Sequence, residues 1–237
     1  MNPRRVSFII SLVIACLLTD SALADERIRS ERGVKAFSSI VLSGVGNLTL
    51  TQGQDIQVIV EAPADIIDRV ETRSEGGVLY LGFKPTSGSD LWDNRQPVQY
   101  FVQVEKLKSL ETSGTGNVSG TALNLSRFDL SVRGTASVTL ADIEAKSVAV
   151  RLSGTGSCTL TGTAKKQQVI LSGTGAYNAE KFKTDDTVIA VNGLGSAVVW
   201  AFDTLDATIN GMGQIKYIGE PKMTKRVSGL GRVIKAD

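Results

Sequence analysis

The sequence contains no histidine, and aromatic residues make up only 5% of its 237 residues. Mechanisms that need an imidazole as a base, an acid or a metal ligand are therefore excluded. The formal net charge of +2 is close to neutral, and we predict no nucleic-acid partner. Cysteine is almost absent as well, with only Cys16 and Cys158 in the chain.

The first 24 residues have the organisation of a secretory signal peptide. A basic start is followed by an apolar run from Val6 to Leu18 and by small residues at Ala22 and Ala24. A run of about 13 residues is too short to cross a bilayer as a helix, so we predict cleavage after Ala24 and no transmembrane span in the mature chain. The alternative is lipoprotein processing, in which Cys16 of the segment VIAC would carry the lipid. Either route predicts an exported protein, located in the periplasm, outside the cell or at the outer membrane.

Cleavage after Ala24 would leave Cys158 as the single cysteine, so the mature chain could not form an internal disulfide. Stability must then come from packing and backbone pairing.

A glycine-flanked turn recurs along the chain in steps of 18 to 20 residues. Its first glycines are Gly114, Gly134, Gly154, Gly173, Gly193, Gly211 and Gly229. A fixed period of this length is typical of a solenoid, in which each repeat forms one coil.

Apolar residues recur at fixed offsets from these glycines, as a stacked coil requires. Two residues before the glycine stand Thr112, Val132, Leu152, Leu171, Val191, Ile209 and Val227. Four residues after it stand Val118, Val138, Cys158, Tyr177, Ala197, Ile215 and Val233. A third station, nine residues after it, holds Leu123, Ile143, Thr163, Phe182 and Phe202. Alternation with polar neighbours indicates strands with one buried face, and it places Cys158 inside as a small hydrophobe.

Three short strands per coil predict an all-β fold, a single-stranded parallel β-helix whose coils stack about 4.8 Å apart. Right-handed winding is expected for parallel crossovers. We predict one β-helical domain over residues 34–237, preceded by the signal peptide (1–24) and an N-terminal linker (25–33). Within the domain, repeat coils occupy residues 109–237, and alternating but less regular segments over 34–108 form a first β layer or cap.

Two segments interrupt the N-terminal layer. Residues 63–70, PADIIDRV, are expected to form a short helical turn with Pro63 near its start. Residues 85–97, bounded by prolines and rich in Ser, Gly, Asp and Asn, are typical of a loop. Trp92 in this loop is either a hydrophobic pin or a residue that stacks on a ligand.

Three segments carry a resemblance to a known family: FSSIVLSGVGNLTLTQG, GGVLYLGFKP, and LKSLETSGTGNVSG with its following SGTG turns. Over residues 34–235 the chain resembles the bacterial "putative auto-transporter adhesin, head GIN domain" family. The resemblance implies a right-handed β-helix that is secreted or associated with the cell envelope. It supplies no catalytic motif.

The turns themselves do not predict a nucleotide site. Their GxG resembles a phosphate-binding loop, but strand-like residues follow where a helix would be needed, and no GK[ST] occurs. We therefore predict no catalytic, cofactor-binding or metal-binding residues. The alternative is a polysaccharide-active β-helix enzyme that uses surface carboxylates, for which Asp185, Asp186, Asp203 and Asp206 are the candidates.

The favoured function is a non-enzymatic, adhesin-like binding or structural module. Ser, Thr and Asn repeat at coil spacing and suit weak multivalent contacts with envelope glycans or another envelope protein. A homodimer through the edge of the C-terminal coil is a second expectation, although Arg226, Arg232 and Lys235 could blunt that edge. Between the two glycines of the turn, threonines give way to Leu194, Met212 and Leu230. If these three point outward, they form an interface; if they point inward, they widen the core.

Overall fold

Parallel pairing between successive repeats organises the chain in the computed structural model, which describes residues 27–84 and 97–236. The signal peptide, Cys16 and Trp92 lie outside the described residues. The fold is the predicted parallel β-helix, and one core runs through it from Phe37 to Val233.

Seven strands form the N-terminal part. They are β1 (Arg27–Glu31), β2 (Ser39–Leu42), β3 (Gly46–Gln52), β4 (Gln57–Pro63), β5 (Val70–Glu75), β6 (Val78–Phe83) and β7 (Val98–Val104). A 3-10 turn at Ile67–Arg69 lies within the segment predicted to be helical. Sequence order and spatial order differ here, because β2 pairs with both β6 and a later strand at Ser109–Thr112, and β3 pairs with both β7 and a later strand at Thr115–Thr121.

Nine strands form the regular coils. They are β8 (Ser109–Thr112), β9 (Thr115–Thr121), β10 (Asn124–Gly154), β11 (Ser157–Leu171), β12 (Ala176–Val191), β13 (Ser196–Gly211), β14 (Gln214–Ile218), β15 (Lys222–Gly229) and β16 (Arg232–Lys235). All pairs among them are parallel and join residues about one repeat apart, such as Val138 with Cys158 and Cys158 with Tyr177. The long strands turn corners with local shifts of register, and their pairing resumes beyond each shift. Ala122, Asp142 and Gly162 lie at such a corner on successive coils, and all have positive φ (55°, 52° and 120°).

Two of the three predicted apolar columns are confirmed. Every member of the column four residues after the glycine is buried, from Val118 at 2% exposure to Val233 at 7%. The column two residues before the glycine is buried from Thr112 to Ile209. Its last member, Val227, is 39% exposed because no described strand covers β15 on its outer side.

The third column was predicted incorrectly in two coils. Leu123, Ile143 and Phe182 are buried, but Thr163 is exposed beside buried Ala164, and Phe202 is exposed beside buried Ala201. Register shifts between the coils cause the difference. A slip of one residue moves a side chain to the other face of a strand, so a fixed offset fails after a shift.

The predicted linker is also corrected. Residues 27–31 form β1, which pairs antiparallel with β4, and Arg27 donates a 3.0 Å hydrogen bond to a carboxylate oxygen of Glu61. β4 pairs antiparallel with β7, and β5 with β6. These antiparallel strands extend the layer at the N-terminal end of the solenoid.

Candidate functional site

The glycine corner is the stack of GxG turns on successive coils, and close backbone contact explains its composition. A Cβ on Gly173, Gly193 or Gly211 would lie 2.6 Å from the carbonyl oxygen of the glycine one coil earlier. The amide between the two glycines donates to that same carbonyl, as from Thr155 to Gly134 and from Leu194 to Gly173 at 3.1 and 3.0 Å. These amides are committed to the stack, which agrees with a structural turn rather than a phosphate cradle.

Polar side chains project from the N-terminal half of this corner. We call this surface the polar ladder: Thr115, Asn117, Thr135, Ser137, Thr155, Ser157 and Thr174, which line one shallow concavity. The hydroxyl oxygens of Ser137 and Ser157 lie 2.5 Å apart. The backbone N–H of Asn117 donates to the side-chain oxygen Oδ1 of Asn47 at 2.9 Å. Hydrogen bonds between coils therefore hold part of the ladder in place.

Apolar side chains project from the C-terminal half of the same corner. Leu194, Met212 and Leu230, which we call the apolar ridge, are 55%, 60% and 80% exposed. This settles the direction of the station between the glycines, which is outward. The ridge does not contribute to the core, and its role as an interface stays a prediction.

Of the four candidate carboxylates, Asp185 and Asp203 are exposed, and Asp186 and Asp206 are held by neighbouring side chains. Asp186 accepts a hydrogen bond from the Thr204 hydroxyl at 2.7 Å. Asp206 accepts from Arg226 at 2.9 and 3.2 Å, in a contact between adjacent coils. Within the described residues, no group of three His, Cys, Asp or Glu side chains could hold a metal ion.

Cys158 lies in the core with no exposed surface, as predicted from its inward station. Burial raises the pKa of its thiol well above the ordinary value. The thiolate needed for nucleophilic chemistry is therefore disfavoured.

Sequence reasoning missed a buried polar cluster beside Cys158. The Tyr177 hydroxyl donates to the side-chain oxygen Oε1 of Gln167 at 2.9 Å. The side-chain nitrogen Nε2 of Gln167 donates to the hydroxyls of Thr184 and Thr187 at 2.9 and 3.0 Å. Thr184 in turn donates to the Trp200 carbonyl at 2.9 Å. These hydrogen bonds make burial of the polar groups tolerable, so the cluster is a structural part of the core. Burial, and then the nearby Cys158, raise the pKa of Tyr177.

A second surface that sequence reasoning missed lies mainly along strands β10 and β11. Two adjoining concavities there share Arg127, Asp129 and Ser147 and are rich in basic side chains. A signal existed in the sequence, because Arg127, Lys146 and Lys166 stand 12 or 13 residues after the first glycine of their turns.

The described chain is thus a β-solenoid with outward polar and charged surfaces and a filled interior. Residues 36–221 match the family described as "putative auto-transporter adhesin, head GIN domain", and the chain belongs to that family. This confirms the resemblance seen in the sequence. No curated protein matches the chain.

Solved structures share the fold. A putative adhesin from Bacteroides fragilis superposes with a TM-score of 0.84 at 21% identity, covering 90% of this chain and 98% of the other. A putative lipid binding protein from Parabacteroides distasonis and a putative adhesin from Parabacteroides merdae each give a TM-score of 0.70, at 20% and 19% identity, with the same coverage. None of the described helical residues forms a segment that could span a membrane.

Proposed function

We propose that the protein is an exported, non-enzymatic binding module of the cell envelope that contacts envelope glycans, or another envelope protein, through the polar ladder. The observation that carries the proposal is the repetition of outward hydroxyl and amide groups over successive coils, on a backbone fixed by parallel pairing. Many weak hydrogen bonds at regular spacing favour a repeating ligand, because each added contact raises the overall affinity.

Family membership supports the adhesin-like part of the proposal, and adhesins act outside the cell or at its envelope. The signal-like N-terminus supports export. Labelling cells with radioactive palmitate would separate cleavage after Ala24 from lipid attachment at Cys16.

Polysaccharide cleavage is the weaker reading. The carboxylates proposed for it include Asp206, which an ion pair with Arg226 already occupies. No observation in the described structure favours it over binding.

The proposal is tested by measuring binding of the purified mature chain to a glycan array and then to the best glycan in solution. Replacing Thr155 and Thr174 with valine removes two ladder hydroxyls and keeps the side-chain shape. We expect affinity to fall about ten-fold, the equivalent of losing one or two hydrogen bonds.

The double variant Thr208→Val/Thr224→Val is the matched control. Thr208 lies in β13 and Thr224 in β15, and both are outside the ladder. The control should bind within about two-fold of wild type, because no ladder contact is lost. An array with no signal above background, or equal losses in the two variants, would count against the proposal.

A further inference from the structure

The two adjoining concavities that share Arg127, Asp129 and Ser147 together form a basic groove. Among its lining residues are six basic side chains and two acidic ones. The basic residues are Lys106, Lys108, Arg127, Lys146, Arg151 and Lys166. The groove therefore carries an excess of positive charge on a protein whose overall charge is only +2, and a concave surface concentrates that field.

The spacing of the cations follows the coils. Arg127 and Ser147 stand one repeat apart on β10, and Ser147 pairs with Lys166 on β11. The next column along the strands contains Asp129, Ala149 and Gln168. Small side chains at Ser147 and Ala149 leave a depression between the longer basic ones. From Arg127 to Lys166 the groove spans two coil steps, about 10 Å along the solenoid.

Five of the six groove cations are poorly neutralised by the protein itself, whereas Lys106 lies 3.1 Å from Glu105. Arg151 lies 3.9 Å from Asp129 and Lys166 lies 3.8 Å from Asp186, both beyond hydrogen-bond distance. Lys108, Arg127 and Lys146 form no ion pair with any carboxylate of the described residues. These basic groups are therefore available for an external anion.

Two arginines elsewhere on the coils are paired more closely than the groove cations Arg151 and Lys166. Arg133 lies 2.8 Å from Glu111, and Arg226 lies 2.9 Å from Asp206. Both distances are those of charge-assisted hydrogen bonds. Unpaired cations such as Lys216, Lys222 and Lys225 also occur elsewhere on the described coils, so what distinguishes the groove is that its loosely paired and unpaired cations line adjoining concavities.

The polar side chains of the groove favour an acidic saccharide over other kinds of anion, because a saccharide also carries hydroxyl groups. Asn124, Ser126, Ser147 and Gln168 lie among the cations and can bond to hydroxyl groups. Of the large hydrophobic residues exposed on the described surface, only Val188 lines the groove, which disfavours insertion into a membrane. No aromatic side chain lines it, which disfavours single-stranded nucleic acid, because that ligand normally stacks its bases on aromatic rings.

We infer that the basic groove binds an acidic polysaccharide, with carboxylate or sulfate groups contacting Arg127, Lys146 and Lys166 and hydroxyl groups contacting the polar side chains between them. The inference rests on the proposed glycan-binding function and specifies the charge of the ligand and a second surface that holds it.

Polygalacturonate and its fully methyl-esterified form are suitable probes, because they share a backbone and differ in charge. Binding to the purified mature chain would be measured by calorimetry at low and moderate salt. We expect polygalacturonate to bind and its neutral ester to bind at least ten-fold more weakly, about the loss expected when charge contacts disappear. Affinity for the acid should fall about ten-fold between 50 and 200 mM salt.

The variant R127S/K146S/K166Q removes three groove charges, and K181Q/K216Q/K222Q removes three charges elsewhere on the coils. All six residues are on the surface, so both variants should keep the wild-type circular dichroism spectrum and unfolding midpoint. The groove variant should lose at least ten-fold in affinity for polygalacturonate, and the control should stay within about three-fold.

The outcomes separate the inference from the function beneath it. Equal losses in the two variants would show attraction by overall charge and overturn the groove. Equal, salt-independent binding of the acid and its ester would overturn the acidic ligand and leave glycan binding standing. Failure to bind polygalacturonate, with a neutral glycan binding on the array, would do the same. Failure to bind any glycan would overturn both.

Discussion

The central coils and the last coil of the solenoid carry the same sequence pattern but bury it to different extents. Val191 and Ile209 have no exposed surface, whereas Val227 at the same station one coil later is 39% exposed. All eight residues of β15 are exposed, although its pairing with β13 is regular. A central coil has a neighbour on each side, and the last described coil has one. At this station, position in the stack and not residue type therefore sets how much the side chain contributes to stability.

Register places a charged side chain at the exposed end of the stack. Lys225 pairs with Ala207, which is buried, so Lys225 occupies a column that points inward in the coil beneath it. A charge in such a column discourages another strand from stacking on the end, because its burial would be costly. Met223 and Val227 flank it, at 41% and 39% exposure. The end thus resembles a protected edge more than a self-complementary one, and the predicted homodimer remains to be tested.

The largest effect should come from the buried column. Ile209→Ala leaves a cavity between two coils and should lower the free energy of unfolding by about 3 kcal/mol. Val227→Ala, at the same station in the last coil, should cost less than about 1 kcal/mol because its side chain is already half solvated. Urea unfolding followed by circular dichroism measures both. Equal losses would mean that the last coil is covered in solution, as a dimer would require.

The glycine corner should respond next. Gly193→Ala places a methyl group within 2.6 Å of the Gly173 carbonyl oxygen and forces two coils apart, at about 2 to 3 kcal/mol. Gly33→Ala is the control, since nothing lies within 4 Å of a Cβ there. The same unfolding measurement applies. If Gly193→Ala were as stable as the control, close stacking could not be the reason for the repeated glycines.

The smallest change in stability is expected at Lys225, at the charged end of the stack. Its replacement should instead change the association of the protein with itself. Lys225→Val restores an apolar residue in the inward column and should convert a monomer into a concentration-dependent dimer. Light scattering over a range of protein concentrations would show the shift, with Lys222→Val as the control, since Lys222 pairs with exposed Thr204 and lies outside the inward column. A wild-type protein that already dimerises would show that the charge does not protect this edge.

Sequence reasoning worked where spacing alone decides the structure. The column that includes Cys158 and Tyr177 was predicted completely, because it lies four residues from a turn that every coil repeats. Phe202 was misplaced because the distance from turn to station changes when a register shift intervenes. Gln167 and Thr187 were missed for another reason: both are polar and look like surface residues, and only their mutual hydrogen bonds make burial acceptable.

The surfaces divide in the same way. The outward side chains of Asn117, Ser137 and Ser157 follow from the repeat, since each neighbours a buried station, but the sequence left open the direction of the threonine station between the glycines. The basic groove depends on which side chains from three coils become neighbours, and on the distances between Arg151 and Asp129 and between Lys166 and Asp186. A sequence shows the charges but not which of them are neutralised. That difference is why part of the ladder could be predicted and the groove could not.

The interleaving of β2 and β3 between later strands has a consequence for the order of folding. A chain that emerges from its N-terminus cannot complete the pairing of β3 until β7, ending at Val104, and β9, ending at Thr121, are both available. Each later coil needs only one further repeat and adds to a template that already exists. The entropic cost of closing the long N-terminal loops therefore comes before the first coils are complete. We expect assembly of this region to be the slow step of folding and growth of the C-terminal coils to be the fast one.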